Sequence, residues 1–169
     1  DIIELKGDKY KSKRNLRNYF LKNYESKIED YDKKIHFNDC LELLKIWEKQ
    51  KLETISKVDE DKLDYEIYAN KKILELANKL SVKGIVVYVE GKIEGYTFGE
   101  KSGKICTDFF EKTNLDIKGL SVFIYGEFLK RMNCEIVNAG EDWGVEYLKK
   151  IKMSYHPLQI RKSYMLQKA

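Results

Sequence analysis

Proline is almost absent from this sequence, and so are the glycine- and serine-rich tracts that often connect separate domains. Pro157 is the single proline among 169 residues. With 43% hydrophobic residues, the chain has the composition of a globular protein and not of a disordered one. Because nothing in it marks an internal linker, we predict a single domain over residues 1–169.

Long hydrophobic runs are missing as well. No apolar stretch approaches the roughly 20 residues that a membrane-spanning helix needs, so we predict no transmembrane segment. The first residues are mixed and charged, which does not fit a secretory signal peptide. Both absences favour a cytoplasmic protein.

Cysteine and histidine are few and scattered. The three cysteines, Cys40, Cys106 and Cys134, form no C-x-x-C pair, so the sequence indicates neither a zinc site nor a disulfide framework. Free thiols suit a reducing, cytosolic compartment. His36 and His156 are isolated, so we expect no catalytic role for them and predict no metal site.

Positive charge is concentrated near the start of the chain. Seven lysines and arginines lie between Lys6 and Lys22, against the single acid Asp8. The apolar spacing over residues 10–24 predicts an amphipathic helix with a basic outer face. Such a face attracts RNA or an acidic membrane surface, although a solvated helix face explains the same pattern.

The hydrophobic periodicity predicts a mixed fold. Two further helices are expected before the sheet, one starting near Asp39 with Glu42 completing a capping box, and one over residues 61–80. A nearly all-apolar helix over residues 119–132 and a short helix over residues 145–152 follow. Strands or extended pieces are expected at 2–5, 27–32, 84–89, 93–100, 104–111, 135–137 and from 158 to about 166.

This order of elements predicts an α/β fold of the α+β type. We expect a mixed, mostly antiparallel sheet with helices on both faces, which is also the element order of GNAT acyltransferase folds. In such enzymes a glycine loop holds the pyrophosphate of acyl-coenzyme A at a helix N-terminus. Residues 112–119 have one glycine and no R-x-x-G-x-G run, so the sequence argues against coenzyme A and predicts no cofactor.

An acidic turn is bracketed by glycines late in the chain. Glu141 and Asp142 lie between Gly140 and Gly144, after a short strand and before a lysine-rich helix. Adjacent carboxylates can raise each other's pKa and so provide a general base. The alternative is that Asp142 only caps the helix.

The predicted central helix carries Glu127 inside its apolar stripe. A buried carboxylate needs a partner or a shifted pKa. Glu127 is therefore either a paired structural residue or a carboxylate that faces a polar cleft.

Three blocks of the sequence resemble the family formed by the C-terminal domain of phosphatidylglycerol lysyltransferase and its relatives. The blocks are residues 7–20 (GDKYKSKRNLRNYF), 110–128 (FEKTNLDIKGLSVFIYGEF) and 138–157 (NAGEDWGVEYLKKIKMSYHP). The resemblance implies a GNAT-like fold and a further such domain before this one. It also implies aminoacyl transfer from an aminoacyl-tRNA to a phosphatidylglycerol-like lipid or another acceptor.

The residues that match the family's motifs imply a site. We assign catalysis to Glu141, Asp142 and Lys152. Substrate binding is assigned to the remaining matches: Lys13, Arg14, Asn15, Glu111, Lys112, Glu127, Asn138, Ser154 and Tyr155.

Two other functions stay open on the sequence alone. One is a coenzyme A-dependent N-acyltransferase. The other is a non-catalytic domain whose basic helix docks RNA or an acidic phospholipid surface, in which case the inner face of the membrane is the alternative location.

Overall fold

The computed structural model describes residues 2–53, 60–162 and 164. Within them the helices are α1 (Lys11–Asn23), α2 (Lys33–Leu52), α3 (Glu60–Leu76), α4 (Leu120–Met132) and α5 (Glu146–Met153). The strands are β1 (Ser26–Asp30), β2 (Lys83–Val89), β3 (Lys92–Ser102), β4 (Ile105–Thr113) and β5 (Ile136–Asn138). No helix in these ranges is long and apolar enough to span a bilayer.

The five strands form one sheet in chain order, β1 to β5. All neighbouring strands are antiparallel except β4 and β5, which are parallel. Alternate residues of β2 point to opposite faces: Val87 packs in the same core cluster as Phe20 of α1 and Phe128 of α4, and Val86 packs with Leu43 of α2. Helices therefore cover both faces, which confirms the predicted fold class.

A β-bulge in β4 places two carboxylates on the same face. Opposite β3, Phe98 pairs with Phe110 and Gly99 pairs with Asp108, so Phe109 is an extra residue in β4. Regular alternation would put positions 108 and 111 on opposite faces, but the extra residue shifts the alternation by one. Asp108 and Glu111 consequently both lie on the face that α4 covers.

The edge strand β5 accompanies β4 only along its first part. Their pairing runs from Ile105 opposite Ile136 to Thr107 opposite Asn138. Beyond that point β4 continues to Thr113, whereas the chain after Asn138 leaves the sheet. The part of β4 that carries Asp108 and Glu111 is therefore not paired with β5.

Several predicted boundaries are wrong. Helix α2 begins at Lys33 because Asp32 is its N-cap and accepts a hydrogen bond from the Lys34 amide at 2.8 Å. The expected capping box of Asp39 and Glu42 therefore lies inside the helix. Residues 2–5 form a turn, and residues 158–162 and 164 form no strand; residues 163, 165 and 166 lie outside the described ranges.

The prediction of free thiols holds only for Cys40. Cys106 in β4 and Cys134 just before β5 form a disulfide, with Cα atoms 5.8 Å apart. The two residues are 28 positions apart in sequence, and they become neighbours because β5 pairs with β4 next to Cys106. Sequence spacing cannot reveal a pairing that depends on strand order.

Helix α1 packs directly on the start of α4. Gly119, the N-cap of α4, has a φ of 88°, and a Cβ there would lie 2.2 Å from the carbonyl oxygen of Leu16. Glycine is required at this position for both its backbone conformation and its size. This contact fixes the position of α1 beside the first turn of α4.

We expect Gly119→Ala to lower the free energy of unfolding by at least about 2 kcal/mol, because the methyl group meets backbone and the φ is positive. Gly126→Ala is the matched control in the same helix, since a Cβ there has nothing within 4 Å. It should be neutral or stabilising by up to about 1 kcal/mol. Urea unfolding followed by circular dichroism measures both; equal effects would contradict the packing argument.

Candidate functional site

Two carboxyl groups of β4 form the centre of the candidate site. Both side chains are partly buried. The Thr97 hydroxyl donates to Asp108 Oδ1 at 3.0 Å, and the Ser121 hydroxyl of α4 donates to Glu111 Oε1 at 2.6 Å. The strand and the helix thus hold the two acids at fixed positions.

The protonation of these two acids is shifted. Burial raises the pKa of Asp108 to about 6, against the lowering effect of the Thr97 hydrogen bond and of the Lys152 charge. Burial and the neighbouring Asp108 raise the pKa of Glu111 to about 8. Burial thus favours the protonated form of both acids, and the charge of Asp108 further opposes ionisation of Glu111.

Two lysines from distant segments lie beside the pair. Lys13 of α1 places its Nζ 4.3 Å from the centre of the Tyr155 ring. Burial lowers the pKa of Lys13, and the charge of Glu111 opposes this. Lys152 of α5 donates to the Ala139 carbonyl, and burial lowers its pKa against the charge of Asp108. Each lysine thus lies within electrostatic reach of one acid.

Two tyrosines complete this group. The rings of Tyr125 in α4 and Tyr155 after α5 have centroids 5.2 Å apart. Burial and the charge of Asp108 raise the pKa of Tyr125, and burial and the charge of Glu111 raise that of Tyr155. Both hydroxyls therefore stay protonated over the physiological range and can donate hydrogen bonds. We call Lys13, Asp108, Glu111, Tyr125, Lys152 and Tyr155 the carboxyl-pair site.

Lys112 points to the other face of the sheet. Its ammonium group is buried, lies 2.6 Å from Glu66 Oε1 of α3 and sits 4.4 Å from the centre of a Trp47 ring. The regular alternation after the bulge explains why Glu111 and Lys112 diverge. Lys112 was predicted as a substrate ligand from its match to the family motif; in the structure it forms an ion pair between the sheet and the helices α2 and α3.

Two other predicted ligands, Arg14 and Glu127, make their polar contacts with neighbouring residues of their own segments. The Arg14 guanidinium donates to the carbonyls of Leu5 and Gly7, the latter at 2.8 Å, so it holds the turn before α1. Glu127 forms ion pairs with Lys130 at 2.5 Å and Arg131 at 3.5 Å. At about 100° per residue, it lies on roughly the opposite side of α4 from Tyr125.

The remaining polar ligands make local contacts as well. Asn138 Oδ1 accepts from the Gly140 amide at 3.0 Å, and the Ser154 hydroxyl donates to the Ile151 carbonyl at 2.6 Å. Asn15 is exposed on the outer face of α1, where it lines a surface groove.

The acidic turn lies at the rim of the site. Glu141 is exposed, and Asp142 Oδ1 accepts from the Gly144 amide at 3.0 Å. The N-cap of α5 is Val145, without a side-chain cap, so the capping role considered for Asp142 is absent. The charges of Glu141 and Asp142 both favour the charged form of Lys152 and so oppose the lowering of its pKa by burial. The three predicted catalytic residues therefore lie near one another.

Sequence reasoning missed Asp108 and Tyr125. The signal for Asp108 is present in the sequence: the adjacent Phe109 and Phe110 break the alternation of β4, as a bulge requires. Tyr125 lies in an apolar helix, so its sequence context is the same as that of a core residue. Its role in the site becomes visible only in the folded structure, where its ring lies against that of Tyr155.

With this geometry in place, comparison with known proteins identifies the family. The family described as "Phosphatidylglycerol lysyltransferase, C-terminal" matches residues 1–167. The chain belongs to this family. The resemblance read from the three sequence blocks is thereby confirmed. A comparison with curated protein sequences finds no match.

Solved structures agree with the family. A conserved protein of unknown function from Bacteroides thetaiotaomicron is 26% identical with a TM-score of 0.77, over 95% of this chain and 54% of that one. The C-terminal domain of a putative lysylphosphatidylglycerol synthetase from Agrobacterium fabrum is 14% identical with a TM-score of 0.59, over 90% and 53%. This chain thus spans about half the length of both.

The fold is also that of GNAT acetyltransferases. A ribosomal-protein-alanine N-acetyltransferase from Brucella melitensis is 9% identical with a TM-score of 0.54, over 86% of this chain and 100% of that one. At such low identity the likeness concerns the fold alone. Family and fold together support an acyltransferase-type domain.

We expect Glu111→Gln to stabilise the protein at high pH. Folding raises the pKa of Glu111 from 4.5 to about 8. The wild-type protein therefore keeps its full stability at low pH and loses part of it as pH rises towards 8, because an ionised Glu111 is less favourable in the folded state than in the unfolded state. The free energy of unfolding of the variant should equal that of wild type near pH 4 and exceed it by about 1–3 kcal/mol near pH 9.

Denaturant unfolding at the two pH values measures this difference. Glu100→Gln removes an equal charge from an exposed position of β3 and serves as the control that should show no such gain. A Glu111→Gln variant that is less stable than wild type near pH 9 would contradict the burial of this charge.

Proposed function

We propose that this domain moves an aminoacyl group from an aminoacyl-tRNA to a hydroxyl or amine acceptor, a phosphatidylglycerol-like lipid being the first class to test. The single observation that carries the proposal is the pair of carboxyl groups, Asp108 and Glu111, on one face of β4 with Lys13 and Lys152 nearby, in a member of the lysyltransferase C-terminal family. An aminoacyl ester is already activated, so the protein needs only to position the substrates and move protons.

Asp108 is the base in this proposal. With a pKa of about 6 it is ionised near neutral pH and accepts the proton of the acceptor hydroxyl as that oxygen bonds to the ester carbonyl carbon. Glu111, with a pKa of about 8, is still protonated. It gives its proton to the ribose oxygen when the bond between that oxygen and the carbonyl carbon breaks, and passage of the proton from Asp108 to Glu111 restores the pair.

The lysines and tyrosines support this step electrostatically. The carbonyl oxygen becomes negative when the acceptor bonds, and a nearby cation or hydroxyl donor stabilises it. Lys152 suits this role because it lies near Asp108 and is held there by the hydrogen bond that its ammonium group donates to the Ala139 carbonyl. Lys13 and the Tyr155 hydroxyl supply further donors near Glu111, and the Tyr125 hydroxyl supplies one near Asp108.

The decisive comparison is between the carboxyl pair of β4 and the acidic turn. We expect Asp108→Asn to lower the rate of transfer from aminoacyl-tRNA by at least about 100-fold, because general-base catalysis contributes this much or more. Glu141→Gln and Asp142→Asn, which remain the sequence prediction for the base, should stay within about threefold of wild type. Single-turnover transfer of a radiolabelled amino acid measures all three.

Full transfer by Asp108→Asn, with loss in either turn variant, would move the base to the acidic turn. A saturable thermal shift with acetyl-coenzyme A, together with transfer of its acetyl group, would replace the aminoacyl donor by coenzyme A.

We expect a bell-shaped dependence of the transfer rate on pH. The rate should rise as the pair loses its first proton near pH 6 and fall as it loses the second near pH 8. A hydroxyl acceptor is used so that the acceptor itself does not titrate. Glu111→Gln should remove the fall near pH 8, and a wild-type profile that is flat from pH 5 to 9 would contradict the two roles.

A further inference from the structure

A surface groove of about 640 Å³ lies between the outer side of α1 and the residue before the N-cap of α4. It does not include the carboxyl-pair site. Three lysines line it, Lys9, Lys11 and Lys118, against the single acid Asp8. The charge in the groove favours an anionic ligand. Phosphate groups are the anions that suit this lining best, because lysine ammonium groups bind phosphates as point charges.

The rest of the lining is polar and aromatic. Ser12 and Asn15 supply a hydroxyl and an amide on the exposed side of α1. Tyr19 is 41% exposed, and the Lys118 ammonium lies 4.7 Å from the centre of its ring. Exposed rings beside lysines are what nucleic-acid sites use to stack bases next to phosphates. An anionic membrane surface offers phosphates to the same lysines but no base to stack on the exposed ring, so the ring favours RNA.

We infer that this groove binds a single-stranded RNA end through its phosphates, with one base against Tyr19. The inference deepens the proposed function and rests on it, since the strand would be the acceptor end of the aminoacyl-tRNA. Ser121, which donates to Glu111, follows Lys118 by three residues. A strand in the groove would therefore reach the first turn of α4, where Ser121 contacts Glu111 of the acid pair.

The test is binding of a labelled single-stranded RNA with a tRNA acceptor-end sequence, followed by fluorescence anisotropy at several salt concentrations. We expect Lys11→Gln with Lys118→Gln to weaken binding about tenfold or more at low salt. The slope of log affinity against log salt should become less steep by about 1.4, which is about 0.7 for each lost phosphate contact. Tyr19→Leu should weaken binding about fivefold or more without changing that slope.

The matched control is Lys71→Gln with Lys92→Gln, which removes two exposed lysines from α3 and β3 and should leave affinity and slope close to wild type. Equal losses in the two double variants would overturn the inference. So would the absence of RNA binding by the wild-type chain at low salt, or a loss in the groove variants of binding to phosphatidylglycerol vesicles with RNA binding kept.

The two proposals fail separately. RNA binding that depends on the groove, in a chain that transfers no aminoacyl group, supports the groove and overturns the transferase. Transfer that continues in the groove variants with an unchanged KM for the aminoacyl-tRNA overturns the groove and leaves the transferase standing.

Discussion

The site depends on holding two acids together in a shielded place. Asp108 and Glu111 would repel each other if both were ionised, and burial makes each charge more costly still. The protein tolerates this because Thr97 and Ser121 fix the oxygens and because Lys13 and Lys152 supply opposite charge nearby. The result is a pair whose pKa values both lie above the usual carboxyl range, which is the property that acid–base chemistry near neutral pH needs.

The bulge at Phe109 is what makes the pair. In a regular strand one of the two acids would face the helices α2 and α3, where Lys112 and Glu66 already form an ion pair. Because the bulge brings both acids to the α4 face, the two faces of β4 carry different chemistry. One has the acid pair with its lysines and tyrosines, and the other has the ion pair of the buried Lys112 with Glu66, next to Trp47.

The cations around the pair come from opposite ends of the chain. Lys13 lies in the first long helix and Lys152 in the last one. Their placement requires the contact of Leu16 with Gly119, which sets α1 beside α4, and the separation of β5 from β4 after Thr107. The same contact of α1 with α4 places the lysine-lined groove beside the helix that carries Ser121, so the groove and the site share one structural support.

Local pattern was sufficient for much of this protein. Periodicity alone marked the buried strand at 84–89 and the apolar helix that became α4, because burying an apolar face is a property that a short segment shows by itself. Motif resemblance likewise reached Lys13, Glu111, Lys152 and Tyr155, which the fold brings together. Only the tertiary structure decided that Arg14 and Glu127 bind their own segments, that Cys106 meets Cys134, and that Asp108 joins the site, because each of these depends on which distant segment lies opposite.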